Sequence, residues 1–179
     1  MRIIVLIVFM PFYLNAQVID ARSVDVSFTI PSIAIIDLAP DKSTINLKVE
    51  APDRAGDPID MTDAVNDEKW INYSSSLRSG ESYRNITAQI ISGELPHGIQ
   101  LKLKAGGYTG NGKGHTGKSN NDIILSNVPQ ILVRDIGAAV TGRGRFNGHQ
   151  LFFSLDYAKY GDIDFGKEAI VIVFTLTDN

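Results

Sequence analysis

Hydrophobic and polar residues alternate with a period of two along most of this chain. In VDVSFTI, Val24, Val26, Phe28 and Ile30 fall on one face, and Asp25, Ser27 and Thr29 on the other. That is the pattern of a half-buried strand. The segments SIAIIDL, STINLKVEA, WINYSS, YRNITAQIIS, IQLKLKA, NDIILS, QILVRDIG, QLFFSLDYA and EAIVIVFTLTD continue the series, each rich in β-branched or aromatic residues. Turn-forming groups separate them: Ala39-Pro40-Asp41, Arg78-Ser79-Gly80, Leu95-Pro96-His97-Gly98 and Asn147-Gly148. About nine or ten short strands with such spacing predict an all-β fold, a single antiparallel β-sandwich of Ig-like or pilin-like topology. One short helix is expected near Asp60 to Asn66. The last segment is apolar on both faces from Ile170 to Phe174, which predicts a central or covered strand.

The first sixteen residues, MRIIVLIVFMPFYLNA, break this rhythm. A single charge, Arg2, precedes an apolar run from Ile3 to Leu14, and Leu14-Asn15-Ala16 offers a small residue for cleavage. This is the order of a secretory signal peptide, and the run is shorter than the ~20 residues of a spanning helix. Residues 17 to 179 are then expected to form one secreted domain, in the periplasm, on the cell surface or in the medium. No later run approaches spanning length, so stable membrane insertion is not expected after cleavage. The chain has no cysteine, which excludes disulfides and a lipoprotein anchor. The fold must rest on its hydrophobic core.

Charge narrows the partners. Removing Arg2 from the 17 basic residues leaves 16 against 20 acidic ones, a net charge of −4. No basic stripe suited to nucleic acid is present. The segment GRGRFNGHQ, with Arg143, Arg145, Phe146 and His149, is a local exception and reads as a solvated turn.

One motif demands a decision. GKGHTGKS, residues 112 to 119, matches the phosphate-binding pattern G-x-x-x-x-G-K-[ST] through Gly112, Gly117, Lys118 and Ser119. Such a loop works when it links a buried strand to a helix whose N-terminus faces the phosphates. Here NNDIILSNVPQ follows, a turn, a strand and a proline, so the match is read as a coincidence. The six glycines between Gly106 and Gly117 suggest a flexible hairpin connection instead.

Other candidate chemistry is thin. His97, His115 and His149 fall in separate expected loops without metal-ligand spacing. The acidic stretch PDRAGDPIDMTDAVNDEKW makes Asp57, Asp60, Asp63 and Asp67 candidate calcium ligands, but without the D-x-[DN]-x-[DN]-G order. Asp156, Asp162, Asp164 and Glu168 flank a turn and need no catalytic purpose, and no G-x-S-x-G occurs. No catalytic residue and no resident cofactor is expected, so the chain reads as a non-enzyme. Trp70 and Tyr73 are read as core aromatics, with a carbohydrate contact as the alternative.

The alternating VDVSFTI, the WINYSS strand, the glycine-rich YTGNGKGHTG and the terminal AIVIVFTL together resemble secreted bacterial β-sandwich proteins of the fimbrial-subunit and spore-coat-U-like kind. The resemblance spans residues 17 to 179. It departs from the fimbrial pattern in lacking a disulfide and in ending Thr177-Asp178-Asn179. What it implies is a structural or adhesive surface protein that self-associates, or joins other surface proteins, by lending the strand Val24, Val26, Phe28 and Ile30 to a neighbour. The other function class is an extracellular module binding a glycan or calcium.

Overall fold

The structure, a computed structural model, describes residues 22 to 178; the expected signal peptide lies outside them. The chain divides into two units, Met1–Ile30 and Pro31–Asn179. In the first, the described residues 22 to 30 carry no strand. Val24, Val26, Phe28 and Ile30 are all exposed, so the expected first strand of the domain does not form: its alternating residues have no ladder partner. The second unit holds nine strands: β1 Ala34–Ala39, β2 Val65–Ser75, β3 Arg84–Ser92, β4 Ile99–Thr109, β5 Lys113–Ser119, β6 Ile123–Ile124, β7 Gln130–Val140, β8 Gly148–Tyr157 and β9 Val171–Asp178. Among the described residues the one helical element is a 3₁₀ turn, Tyr160–Asp162, and no helix is long and apolar enough to cross a membrane.

All nine strands pair antiparallel in one connected sheet, in the order β6-β4-β8-β2-β7-β3-β9, with β1 also on β2 and β5 also on β7. The long β2 makes this possible. Its residues Val65 to Ile71 pair with β8, and its last two, Ser74 and Ser75, pair with Val140 and Ala139 of β7. The core draws on strands from both sides of that crossing. Leu101, Leu103, Leu151 and Phe153 come from β4 and β8, and Ile86, Leu132, Val133 and Ile136 from β3 and β7. Each fully buried aliphatic side chain of this size contributes about 1.5–3 kcal/mol, so the alternation that marks each strand in the sequence also supplies its stability.

Several expected elements come out differently. STINLKVEA turns Ile45 and Leu47 toward the core but joins no ladder beyond a single bridge of Glu50 to Asp60. A buried lysine anchors the stretch before it: Lys69 Nζ donates to Asp41 Oδ1 at 2.7 Å and to Ser43 Oγ at 2.8 Å. The Lys69 contact first, and then the Ser43 hydroxyl and amide that donate to the same carboxylate, hold the Asp41 carboxyl well below the usual carboxylate range. The helix expected near Asp60 to Asn66 is a turn, because the Asp60 carboxylate accepts from the Thr62 amide at 2.8 Å and fixes a local reversal before β2 begins. β9 is an edge strand paired only with β3, not the central strand its two apolar faces suggested.

The largest difference concerns GKGHTGKS. It is neither a phosphate loop nor a flexible connection: it is β5, paired to β7 from Lys113↔Val140 to Ser119↔Val133. Its glycines serve close approach. A Cβ on Gly114 would stand 2.0 Å from the Ala138 carbonyl oxygen, at a backbone φ of +88° that side chains rarely adopt. Gly114→Ala is therefore expected to destabilise the protein by roughly 2–4 kcal/mol. Urea denaturation measures it, and a loss below about 0.5 kcal/mol would contradict the close packing of β5 on β7.

Candidate functional site

Where β5 leaves β4 to join β7, the structure buries a polar cluster. On β8, His149, Leu151 and Phe153 occupy successive inward positions and are all buried. His149 thus takes a core place in the strand alternation rather than the loop position expected for it. Its Nδ1 lies 2.9 Å from the Gly106 carbonyl oxygen. Its Nε2 lies 3.0 Å from the Tyr73 hydroxyl and 3.2 Å from the Thr116 carbonyl oxygen. The Tyr73 hydroxyl donates its one proton to the Thr116 carbonyl. Nearby, Tyr108 donates from its hydroxyl to the Thr141 carbonyl oxygen at 3.1 Å and accepts from the Gly112 amide at 2.5 Å.

Burial pushes the His149 ring below its ordinary pKa, against the pull of its two carbonyl neighbours, and burial pushes the Tyr73 phenol upward. Ser119 lies 3.4 Å from His149 Nδ1, but its hydroxyl donates to the Gly106 carbonyl. It is therefore not poised as a nucleophile. Among the described residues, no buried side-chain polar atom lacks a partner.

A second arrangement faces outward. The β7–β8 connection, residues 141 to 147, is held by two asparagines. Asn72, buried on β2, accepts from the Gly144 amide at 2.9 Å and donates to the Asn147 carbonyl. Asn147 Nδ2 donates to the Arg143 carbonyl oxygen at 2.8 Å, and its Oδ1 accepts from the Asn111 amide of the β4–β5 turn at 3.4 Å. Two loops are thereby locked into one tip. Within it Phe146 sits at φ +66°, a conformation that costs a bulky residue about 1–2 kcal/mol. Its ring remains 68% exposed, stands edge-on to Trp70 at 5.5 Å, and has the Arg145 guanidinium 5.6 Å from its centre.

The remaining candidates are dispersed. Trp70 and Tyr73, weighed as carbohydrate contacts, are both buried. Trp70 supports Phe146 and Tyr73 supports His149, so neither offers a free ring face to a sugar. Asp57, Asp60, Asp63 and Asp67 are exposed, and among the described residues no three acidic or histidine side chains converge on a metal position. His115 lies on β5, stacked on Tyr83 at 4.9 Å. His97 is an exposed loop residue 2.7 Å from Asp164, whose carboxylate raises its pKa. Asp156 and Asp162 are engaged by Lys102 and Lys159. The sequence reading missed the roles of Phe146, Asn72 and Asn147. The available signal was a glycine-dense run, TGRGRFNG, inside residues 136 to 155, a stretch without any Asp or Glu. No protein-family model, curated protein or solved structure matches the chain.

The depressed pKa of His149 has a definite sign. The unfolded chain takes up the proton first as pH falls, so this contribution to stability is complete above about pH 6.5. It is lost progressively below that value, down to the depressed folded pKa. The free energy of unfolding should therefore drop between pH 7.5 and 5.5, and that drop should vanish in His149→Gln. The same variant should cost roughly 2–4 kcal/mol at pH 7.5 through the partners it leaves unpaired. An equal pH slope in both proteins would contradict the buried neutral ring.

Proposed function

We propose that this protein is a secreted structural or adhesive surface protein that self-associates through residues 24 to 30. The observation carrying this reading is the exposure of Val24, Val26, Phe28 and Ile30, at 85%, 80%, 82% and 76%, in a segment without a ladder partner. Four apolar side chains at strand spacing gain burial if the segment pairs with a sheet edge. The compact unit Pro31–Asn179 has edges to offer. β1 is paired only to β2, and β9 only to β3.

The flanks of these edges are partly uncovered. Ile36 and Leu38 of β1, with Ile172, Phe174 and Leu176 of β9, touch the core while remaining half-buried. The β9 edge, VIVFTLTD, holds no lysine or proline of the kind that usually guards an edge, and so it favours strand addition. Arg84 fixes one end of the pair. Its guanidinium donates to Asp178 of β9 at 2.6 Å and to the Ile33 carbonyl, just before β1, at 2.6 Å. A seven-residue strand spans roughly 23 Å, close to the length of the eight-residue β9. The secreted location rests on the character of residues 1 to 16.

Size-exclusion chromatography with light scattering, over a hundredfold range of concentration, tests the reading. Oligomers that grow with concentration are expected. Deleting Val24 to Ile30 should return the protein to a monomer, and Phe28→Asp should weaken association about tenfold or more. A strict monomer at every concentration would sink spontaneous self-association.

A further inference from the structure

The tip built by the β4–β5 turn and the β7–β8 connection has the parts of a ligand site. Half of the sixteen described lysines and arginines have carboxylate partners: Lys42, Lys48, Lys69, Arg84, Lys102, Lys104, Arg134 and Lys159 are in ion pairs. Among the described residues, Arg143 and Arg145 in the tip, and Lys113 opposite Val140 beside it, are in none. Residues 105 to 121 and 136 to 155, which form the tip and its stems, contain no Asp or Glu. Of the described residues, Arg54, Arg78, Lys118 and Lys167 are in no ion pair either, but only in the 141 to 147 loop do two such cations, Arg143 and Arg145, flank an exposed aromatic ring, with Lys113 on the stem of the tip. The ring is held, not loose, because Trp70 stands beneath it and the two asparagines fix the backbone that carries it.

We propose that this tip binds a carboxylated polysaccharide, a uronic-acid chain whose sugar rings lie on Phe146 and whose carboxylates meet Arg143, Arg145 and Lys113. Guanidinium groups grip carboxylates in a bidentate fork. The two arginines stand two residues apart, at most about 7 Å along the backbone, so they can serve successive charges of a repeating anion. The aliphatic face of a pyranose ring covers an aromatic ring and relieves its exposure. A lipid surface is the weaker fit, since Phe146 is the one large apolar side chain exposed within residues 141 to 147 and stable anchoring takes more than one such signal. The strained φ of Phe146 fits a residue kept for contact with a ligand. The site is independent of the self-association edge.

Titration calorimetry of the purified full chain with polygalacturonate, neutral dextran, dextran sulfate and vesicles of anionic phospholipid tests this. Saturable binding to polygalacturonate and none to dextran is expected. Phe146→Asn, a residue that accepts the left-handed backbone, should weaken binding about tenfold while leaving the melting temperature unchanged or higher. Arg143→Gln with Arg145→Gln should weaken it at least tenfold and flatten its salt dependence. No binding to polygalacturonate overturns the proposal. So does binding to polygalacturonate and dextran sulfate alike that ignores Phe146→Asn, which would be charge attraction alone, and so does Phe146-dependent binding to vesicles only. Should Phe146→Asn fail to fold, the arginine pair decides, and undiminished binding in that variant overturns the proposal.

Discussion

The two residue pairs that join β2 to β7, Ser74↔Val140 and Ser75↔Ala139, carry the connectivity of the whole sheet. So short a contact is a weak seam by itself, since each backbone hydrogen bond contributes about 1 kcal/mol net. It holds because buried polar side chains reinforce it from the adjoining residues. Thr141 Oγ1 accepts from the Tyr73 amide at 3.0 Å and Thr141 N donates to the Tyr73 carbonyl oxygen at 3.1 Å, which extends the pairing by one residue. Tyr73 then links to His149, and His149 to Gly106 and Thr116. Polar groups from β2, β4, β5 and β8, with Thr141 just after β7, therefore meet at one place, and a polar cluster satisfied throughout specifies that meeting more narrowly than apolar contacts would.

The glycines of β5 belong to the same constraint. β5 lies against β7 with Gly114, and Gly112 just before the strand, facing main-chain carbonyls at distances that leave no room for a Cβ. That closeness brings Thr116 and Ser119 to the histidine. A run that imitates a phosphate loop in the one-letter code is, in three dimensions, a strand whose side chains were removed to let two backbones touch. The requirement for small residues is common to both structures, which explains the coincidence.

The period-two signal made eight of the nine strands legible, because it reports which side chains face a core. It failed where alternation exists without a partner: VDVSFTI and STINLKVEA alternate as well as any true strand, yet a ladder needs a neighbour that composition does not reveal. It failed again at β5, where glycine and lysine carry no alternation at all. The covered position expected for β9 came from its two apolar faces, and the structure instead leaves that strand at an edge, with Val171 exposed and Ile172, Phe174 and Leu176 half-buried. The candidate sites were less legible still. His149 looked like a loop residue beside Asn147-Gly148, and only the register of β8 turns it inward. Phe146 looked like an ordinary turn residue, and only its left-handed backbone and the asparagines around it mark it out.

The order of synthesis gives the position of β9 another meaning. β3 is complete once Ser92 has been made, but its second neighbour is β9, and Arg84 of β3 pairs with Asp178, ninety-four residues later. β2 likewise waits for His149 to find its partner on β8. Pairings of such sequence separation form slowly. From the completion of β3 at Ser92 until β9 is made, the growing chain carries an unpaired edge on β3. Any cellular machinery that keeps the nascent chain extended shields that edge for as long as its own last strand has yet to arrive.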